Sequence, residues 1–350
     1  MAAAEGAFIV SAVAFRYIGN KSRLVDRIVE AVRSVLPDGG RVVDPMCGTA
    51  TVAGGLADAG YAVTAADELT FAVLHARVRL LLAEAPAFAA LGGYAEVLAE
   101  LNSVPAQQQL FFREYSDAGR PSNGSKARSY FTGENAQRID AIRATIGRWR
   151  GAGKLEDLEA DLLHHDLIMA ANRTANIAGT YGYYRSSWNK AALEPLVLRP
   201  SEFRGGGDHA VAQGKVEETI GGLEADVVYL DPPYTKRQYA GNYHILETLA
   251  TGDDPEPVGM GGLRDWYGQY SSFCSKRSVR AAFETVLERV RAPWVLLSYS
   301  EDGLVPAAEM RELLGRFGEV EREDIALPRF RSNGGRSEHV TEHLYRLRMA

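Results

Sequence analysis

The sequence predicts an α/β protein, a doubly wound and mostly parallel sheet with a largely helical insert. Three observations predict it. Short β-rich runs alternate with helical patterns through the first third of the chain, and the alternation resumes from residue 226 onward. The long stretch between them, 76–204, shows no convincing β alternation. At 350 residues the chain can bury a sizeable core as one large domain or two smaller ones.

The elements follow in order. RVVD (41–44) reads as a first strand, the Gly/Ala-rich run through Ala59 as a helix, YAVTAAD (61–67) as a second strand, and a further helix ends before Pro86. The frame returns with the strand DVVYLD (226–231), a long helical region, the strand WVLLSY (294–299), the helix 306–318 and a final EHLYRLR (342–348). Residues 1–75 and 205–350 are therefore expected to form one domain around the sheet, and 76–204 the helical insert. A polar loop is expected at 117–129, and the glycine run 205–207 marks the insert's return to the sheet. No internal repeat is visible.

Composition narrows the class. With 46% hydrophobic and 24% charged residues the chain reads as an ordinary globular protein. The apolar run AFIVSAVAF (7–15) lacks a basic leader and is too short to span a bilayer, so a membrane or secreted location is not expected. Cys47 and Cys274 are the only cysteines and stand in no metal-ligand spacing, which fits a reducing cytoplasm. The net charge of −6 argues against strong nonspecific nucleic-acid affinity, yet residues 113–154 carry nine Lys or Arg against four Asp or Glu. That block is the candidate phosphate-facing surface.

Three sequence sites carry chemistry. Strand one ends in VVDPMCGTATVAG (42–54), where small residues let a nucleotide-like ligand approach the backbone, although the pattern is not the GxGxxG of nicotinamide dinucleotide sites. Strand two ends in Asp67, close to the spacing at which an acid accepts from a ribose. Strand 226–231 ends in YLDPPY (229–234). Proline fixes φ and pushes the preceding residue into extended geometry, so Asp231 and Pro232 form a stiff acceptor cluster beside Tyr234, suited to a planar group with N–H donors. Asp44, Asp67 and Asp231 thus line one carboxyl edge of the sheet. Upstream, FRYIGNKSRL (15–24) is an aromatic, glycine and basic cluster entering a helix.

These motifs, in this order, resemble the Dam-like, alpha-class adenine-N6 DNA methyltransferases. YTKRQYAGNYHILETLA (234–250), SYFTGENAQRIDAIR (129–143), ANIAGTYGYYRSSWNKAAL (175–193) and LSYSEDGL (297–304) look like the branch found in type IIS restriction-modification systems. The resemblance implies a Rossmann-like methyltransferase fold, S-adenosyl-L-methionine as methyl donor, and an adenine flipped out of double-stranded DNA. It implies that Asp231 and the Pro232 carbonyl accept from the exocyclic amine, Pro233 stiffens the loop, and Tyr234 stacks on the base, a contact worth roughly 1–3 kcal/mol. For the cofactor it implies Tyr17, Lys21, the loop with Asp44, Pro45, Cys47, Gly48 and Thr49, Asp67 on the ribose, and Asp231 near the methionine moiety. Met46 and Ala50 depart from the usual Phe and Gly. Lys215 stands near the position of an acid that contacts the cofactor adenine, with Gln213 or Glu217 as substitutes.

The insert is the implied target-recognition region, with Arg128 and Arg138 reading base edges. Arg237, Gln238 and Tyr239 would hold the target strand or fill the gap left by the flipped base. Other expectations are a cytoplasmic monomer, a possible cognate restriction enzyme and no metal. His339 and His343 have i, i+4 spacing but fall in an expected terminal strand, and adjacent His164 and His165 point to different helix faces. Methylation of cytosine N4 or of RNA adenine, or an inactive DNA-binding module, are the alternatives.

Overall fold

A computed structural model describes residues 15–328 and 339–350. Most of the apolar run 7–15 lies outside the described residues. Among the described residues seven strands form one sheet: β1 (Arg41–Asp44), β2 (Ala62–Asp67), β3 (Ala210–Gln213), β4 (Val227–Leu230), β5 (Trp294–Ser300), β6 (Gly318–Pro328) and β7 (His339–Met349). Their order is β3-β2-β1-β4-β5-β7-β6. The first five pair in parallel, and β7 runs antiparallel between β5 and β6.

The central strands are apolar on both faces because both faces are covered. Val42, Val43, Val63, Val227 and Val228 are fully buried, which is why these segments read as continuous β-branched runs. Strand order reverses between β1 and β4, and ligands of such sheets lie outside the carboxyl ends at that point. The register sets the ends of β1, β2 and β4 side by side, with Val42 opposite both Val63 and Val227. Asp44, Asp67 and Asp231 therefore emerge along one edge.

Strand β6 was not foreseen in the sequence. It is an edge strand with no fully buried residue, and the charged run Glu319–Asp324, broken only by Val320, hides its apolar positions Val320, Ile325 and Leu327. Its partner β7 has a buried stretch that reveals only one of the two strands.

The insert comprises helices Tyr94–Ser103, Leu110–Tyr115, Gly133–Gly151 and Asp157–Thr174. Thr132 caps the third by accepting from the Asn135 amide at 3.2 Å, and Glu156 with Glu159 forms a capping box on the fourth. The expected boundary at 75/76 falls inside the helix Thr70–Leu81, so the chain leaves the sheet frame only after Leu81. It returns beside its point of exit: the Gly205 and Gly206 amides donate to the Leu82 and Leu80 carbonyls at 2.9 Å. A Cβ at Gly205 would stand 2.6 Å from the Leu80 oxygen, so this close approach requires glycine.

One apolar cluster joins Phe111, Ile139, Leu163 and Leu167 of the insert to Phe71 and Leu74 of the helix after β2. It also takes in Tyr243, Ile245 and Leu249 of the segment after β4. Insert and frame thus share a core. Two further clusters pack the two faces of the sheet.

Candidate active site

A cavity of about 910 Å³ opens at the carboxyl edge where the strand order reverses. It is lined by the N-terminal motif, the loop after β1, the end of β2, the turn after β3 and the segment after β4. Residues distant in sequence meet there for a topological reason: most of them follow a parallel strand or enter the first helix, and Tyr239, Tyr270 and Ser271 reach it from the long segment between β4 and β5.

The loop after β1 forms the floor. The Cys47 amide donates to the Ala66 carbonyl, and the Gly48 amide to Asp67 Oδ2, both at 3.0 Å. Gly48 has φ +52°, and a Cβ there would meet the Tyr17 ring at 2.9 Å. Tyr17 is in turn stacked on Tyr243 with ring centroids 4.8 Å apart. Gly48→Ala should therefore strain the loop and displace Tyr17, weakening binding of the cofactor implied by the sequence by about tenfold in calorimetry; an unchanged Kd would show that this approach does not shape the site.

Asp67 is committed on both oxygens, since Oδ1 also accepts from the Leu69 amide at 2.9 Å. Burial pushes its carboxyl up to about 6 despite those amides. The neighbouring Glu68, which sequence reasoning missed, has a buried Oε2 with no hydrogen-bond partner. Burial, with Asp67 beside it, pushes this carboxyl up to about 8. Asp44 likewise leaves Oδ1 buried and unpartnered, and burial with Asp231 nearby raises its carboxyl well above the ordinary range. Lys215, Val216 and Glu217 close this end of the cavity, whereas Gln213 is tied to the Glu68 carbonyl and to Thr70 Oγ1.

Asp231 stands at the other end. The Lys21 ammonium lies 2.7 Å from its Oδ1 and 3.4 Å from Glu342 Oε1, with all three side chains mostly or fully buried. Burial pushes the Asp231 carboxyl up to about 6; Lys21 opposes this and Glu342 adds to it. Pro233 and Tyr234 line the cavity beyond it, and the Lys21 ammonium stands 5.8 Å from the Tyr234 ring centroid. Pro232 is buried. Pro45 and Thr49 line the same cavity.

The residues expected at DNA divide sharply. Arg237 and the adjacent Lys236 are exposed. Gln238 is spent on Ser271, donating to its carbonyl at 3.0 Å and accepting from its amide at 2.9 Å. Tyr239 lines the cavity and donates to the Ile18 carbonyl at 3.3 Å.

Arg128 and Arg138 require correction. Arg128 is fully buried, paired with Glu114 Oε2 at 2.8 Å and donating to the Gly259 and Met260 carbonyls. Arg138 donates to the carbonyls of Leu101, Asn102 and Val104, capping the end of helix Tyr94–Ser103. Neither presents its guanidinium to a base edge. In the same block Arg120, Lys126, Arg148, Arg150 and Lys154 are exposed. His339 and His343 lie on β7, and His343 pairs with Asp324. His164 is buried against the Leu249 carbonyl at 2.8 Å.

The donor set fits the implied cofactor. A floor that tolerates no Cβ, a flat tyrosine wall and two buried carboxylate oxygens without donors suit an adenosine ligand with hydroxyl and amino groups. Sheet order and site together define a Rossmann-like methyltransferase. The chain belongs to the D12 class N6 adenine-specific DNA methyltransferase family, which it matches over residues 17–308.

It is 34% identical to the type II methyltransferase M.NlaIII of Neisseria lactamica over 68% of this chain and 70% of that protein. It is 35% identical to the type II methyltransferase M.FokI of Planomicrobium okeanokoites over 87% of this chain and 47% of that one. Modification methylase LlaI of Lactococcus lactis is 28% identical over 86% of this chain and 49% of its own length. The chain thus spans about half the length of the latter two. The methyl donor of the family is S-adenosyl-L-methionine. Among the described residues no helix is long and apolar enough to cross a membrane.

Proposed function

We propose that the protein methylates the exocyclic N6 amine of an adenine flipped out of a short specific sequence in double-stranded DNA. The observation that carries this reading is the acceptor cluster after β4. A mostly buried Asp231, in line with two prolines and Tyr234, shares one cavity with the Gly48 floor and the unpartnered carboxylates. S-adenosyl-L-methionine supplies an electrophilic methyl group when bound.

The amine of adenine is a weak nucleophile because its lone pair is delocalised into the ring. Asp231 and the Pro232 carbonyl accept its two hydrogens and stabilise positive charge developing on the nitrogen, without prior removal of a proton. The prolines keep these acceptors from relaxing away, and Tyr234 stacks on the base. At the cofactor end, Asp44 and Glu68 offer the acceptors, while Asp67 fixes the loop from behind. Glu68→Gln is expected to weaken cofactor binding by about tenfold, the scale of one lost buried hydrogen bond. An unchanged calorimetric Kd would remove Glu68 from the ribose end and return the role to Asp67.

The insert reads the sequence through its exposed basic residues, with Arg237 on the target strand. The reading extends to a cytoplasmic monomer; its extension to a cognate restriction enzyme is supported by the type II methyltransferases among its relatives.

The test is to incubate the purified chain with unmethylated genomic DNA and S-adenosyl-L-methionine, then quantify methylated nucleosides by mass spectrometry. N6-methyladenine is expected. N4-methylcytosine overturns the base assignment, and no methylated base overturns the reading.

A further inference from the structure

The acceptor end of the cavity holds a second carboxylate that no motif announces. Glu342 stands on β7 opposite Ser300 of β5, only 6% exposed, and Oε1 has no hydrogen-bond partner. It lies 3.4 Å from Lys21 Nζ, whereas Asp231 Oδ1 lies 2.7 Å away on the same ammonium. One buried cation therefore faces two buried anions. Asp44 and the Tyr229, Tyr234 and Tyr239 phenols are further titratable groups coupled to this cluster.

We propose that Glu342 is a positioning residue for methyl transfer, the seat to which the Lys21 ammonium shifts when the target amine takes Oδ1 of Asp231. This rests on the methyltransferase reading above. Asp231 cannot give the substrate its full acceptor capacity while Lys21 holds that oxygen. Releasing a buried ammonium with no second partner would be strongly unfavourable. A carboxylate already in contact turns the release into a short displacement between two anions.

Glu342→Gln keeps shape and an acceptor but removes the charge. It is expected to lower kcat by about tenfold or more, leaving the cofactor Kd unchanged. Glu342→Asp, which keeps the charge one methylene further back, is expected to fall between Gln and the parent. In a Lys21→Met background, Glu342→Gln should cost little more, because both act through one ammonium.

A readout independent of turnover is the carboxyl ¹³C titration of Asp231, assigned by its loss in Asp231→Asn. Its midpoint, about 6 in the parent, should move down in Glu342→Gln as the repelling charge is removed. A parent-like kcat, an unmoved midpoint, or an undiminished Glu342→Gln effect without Lys21 overturns the proposal. A parent protein that methylates nothing overturns the methyltransferase reading instead, and the titration then still decides whether Glu342 acts on Asp231.

Discussion

Asp231→Ala is expected to lower kcat by at least about 10²–10³-fold, the scale for removing one preorganised partner of a developing charge. DNA binding should survive largely intact, because the substitution lies inside the cavity and leaves the exposed Lys236 and Arg237 in place. Circular dichroism and a filter-binding isotherm would establish that the variant is folded and competent to bind. Near-normal turnover would sink the proposed role.

The same residue sets a pH dependence. On the proposed mechanism the ionised carboxylate is the form that accepts from the amine, and burial raises its midpoint to about 6. Activity of the parent should therefore fall as pH drops through about 6, not through the ordinary carboxylate range near 4. A kcat that stays flat to pH 5 would show that ionisation of Asp231 is not required.

The second large effect concerns stability. Arg128 and Glu114 form a fully buried ion pair, and Arg128 also holds Asn123 Oδ1 and the carbonyls of Gly259 and Met260. Arg128→Met leaves Glu114 Oε2 without its buried partner, although the half-exposed Arg113 still stands 2.9 Å from Oε1, so unfolding in urea should lose about 3 kcal/mol. Arg128→Met with Glu114→Gln removes both charges and should recover a substantial part of that loss. A loss below about 1 kcal/mol for the single variant would mean that the pair is dispensable.

That pair shows where the sequence stops being legible. Motifs announce chemistry when residue types are tied to neighbours a few positions away, as in Asp231 with its two prolines and Tyr234, or Gly48 with the small residues that open a helix. The parallel frame was legible for a similar reason, since doubly buried strands such as VVYL need continuous apolar runs. An arginine in a polar loop carries no local mark of burial. Arg128 meets Glu114 and the 259–260 turn only after the chain has folded, so local charge counting placed it on the surface. Glu342 is the converse: a lone acid in a terminal strand, with a role visible only when β7 returns beside β5. Glu68 stands next to an aspartate that matched the expected spacing, and only the hydrogen bonds show that one of the two holds the loop while the other keeps an unpartnered oxygen.

On the proposed reading of the insert as the target-recognition unit, its common core with the sheet frame bears on how such a protein can change its target sequence. A recognition unit on a flexible tether can be exchanged like a tool bit. Here Phe111, Ile139 and Leu163 pack with Tyr243, Ile245 and Leu249, only a few residues beyond the loop that carries Asp231. Transplanting residues 82–207 alone would leave a donor surface facing a foreign helix, and mismatch there would be felt at the chemistry. A working chimera must carry the segment 239–251 with the insert. New specificities are therefore expected to arise through surface changes on a retained interior more readily than through wholesale exchange.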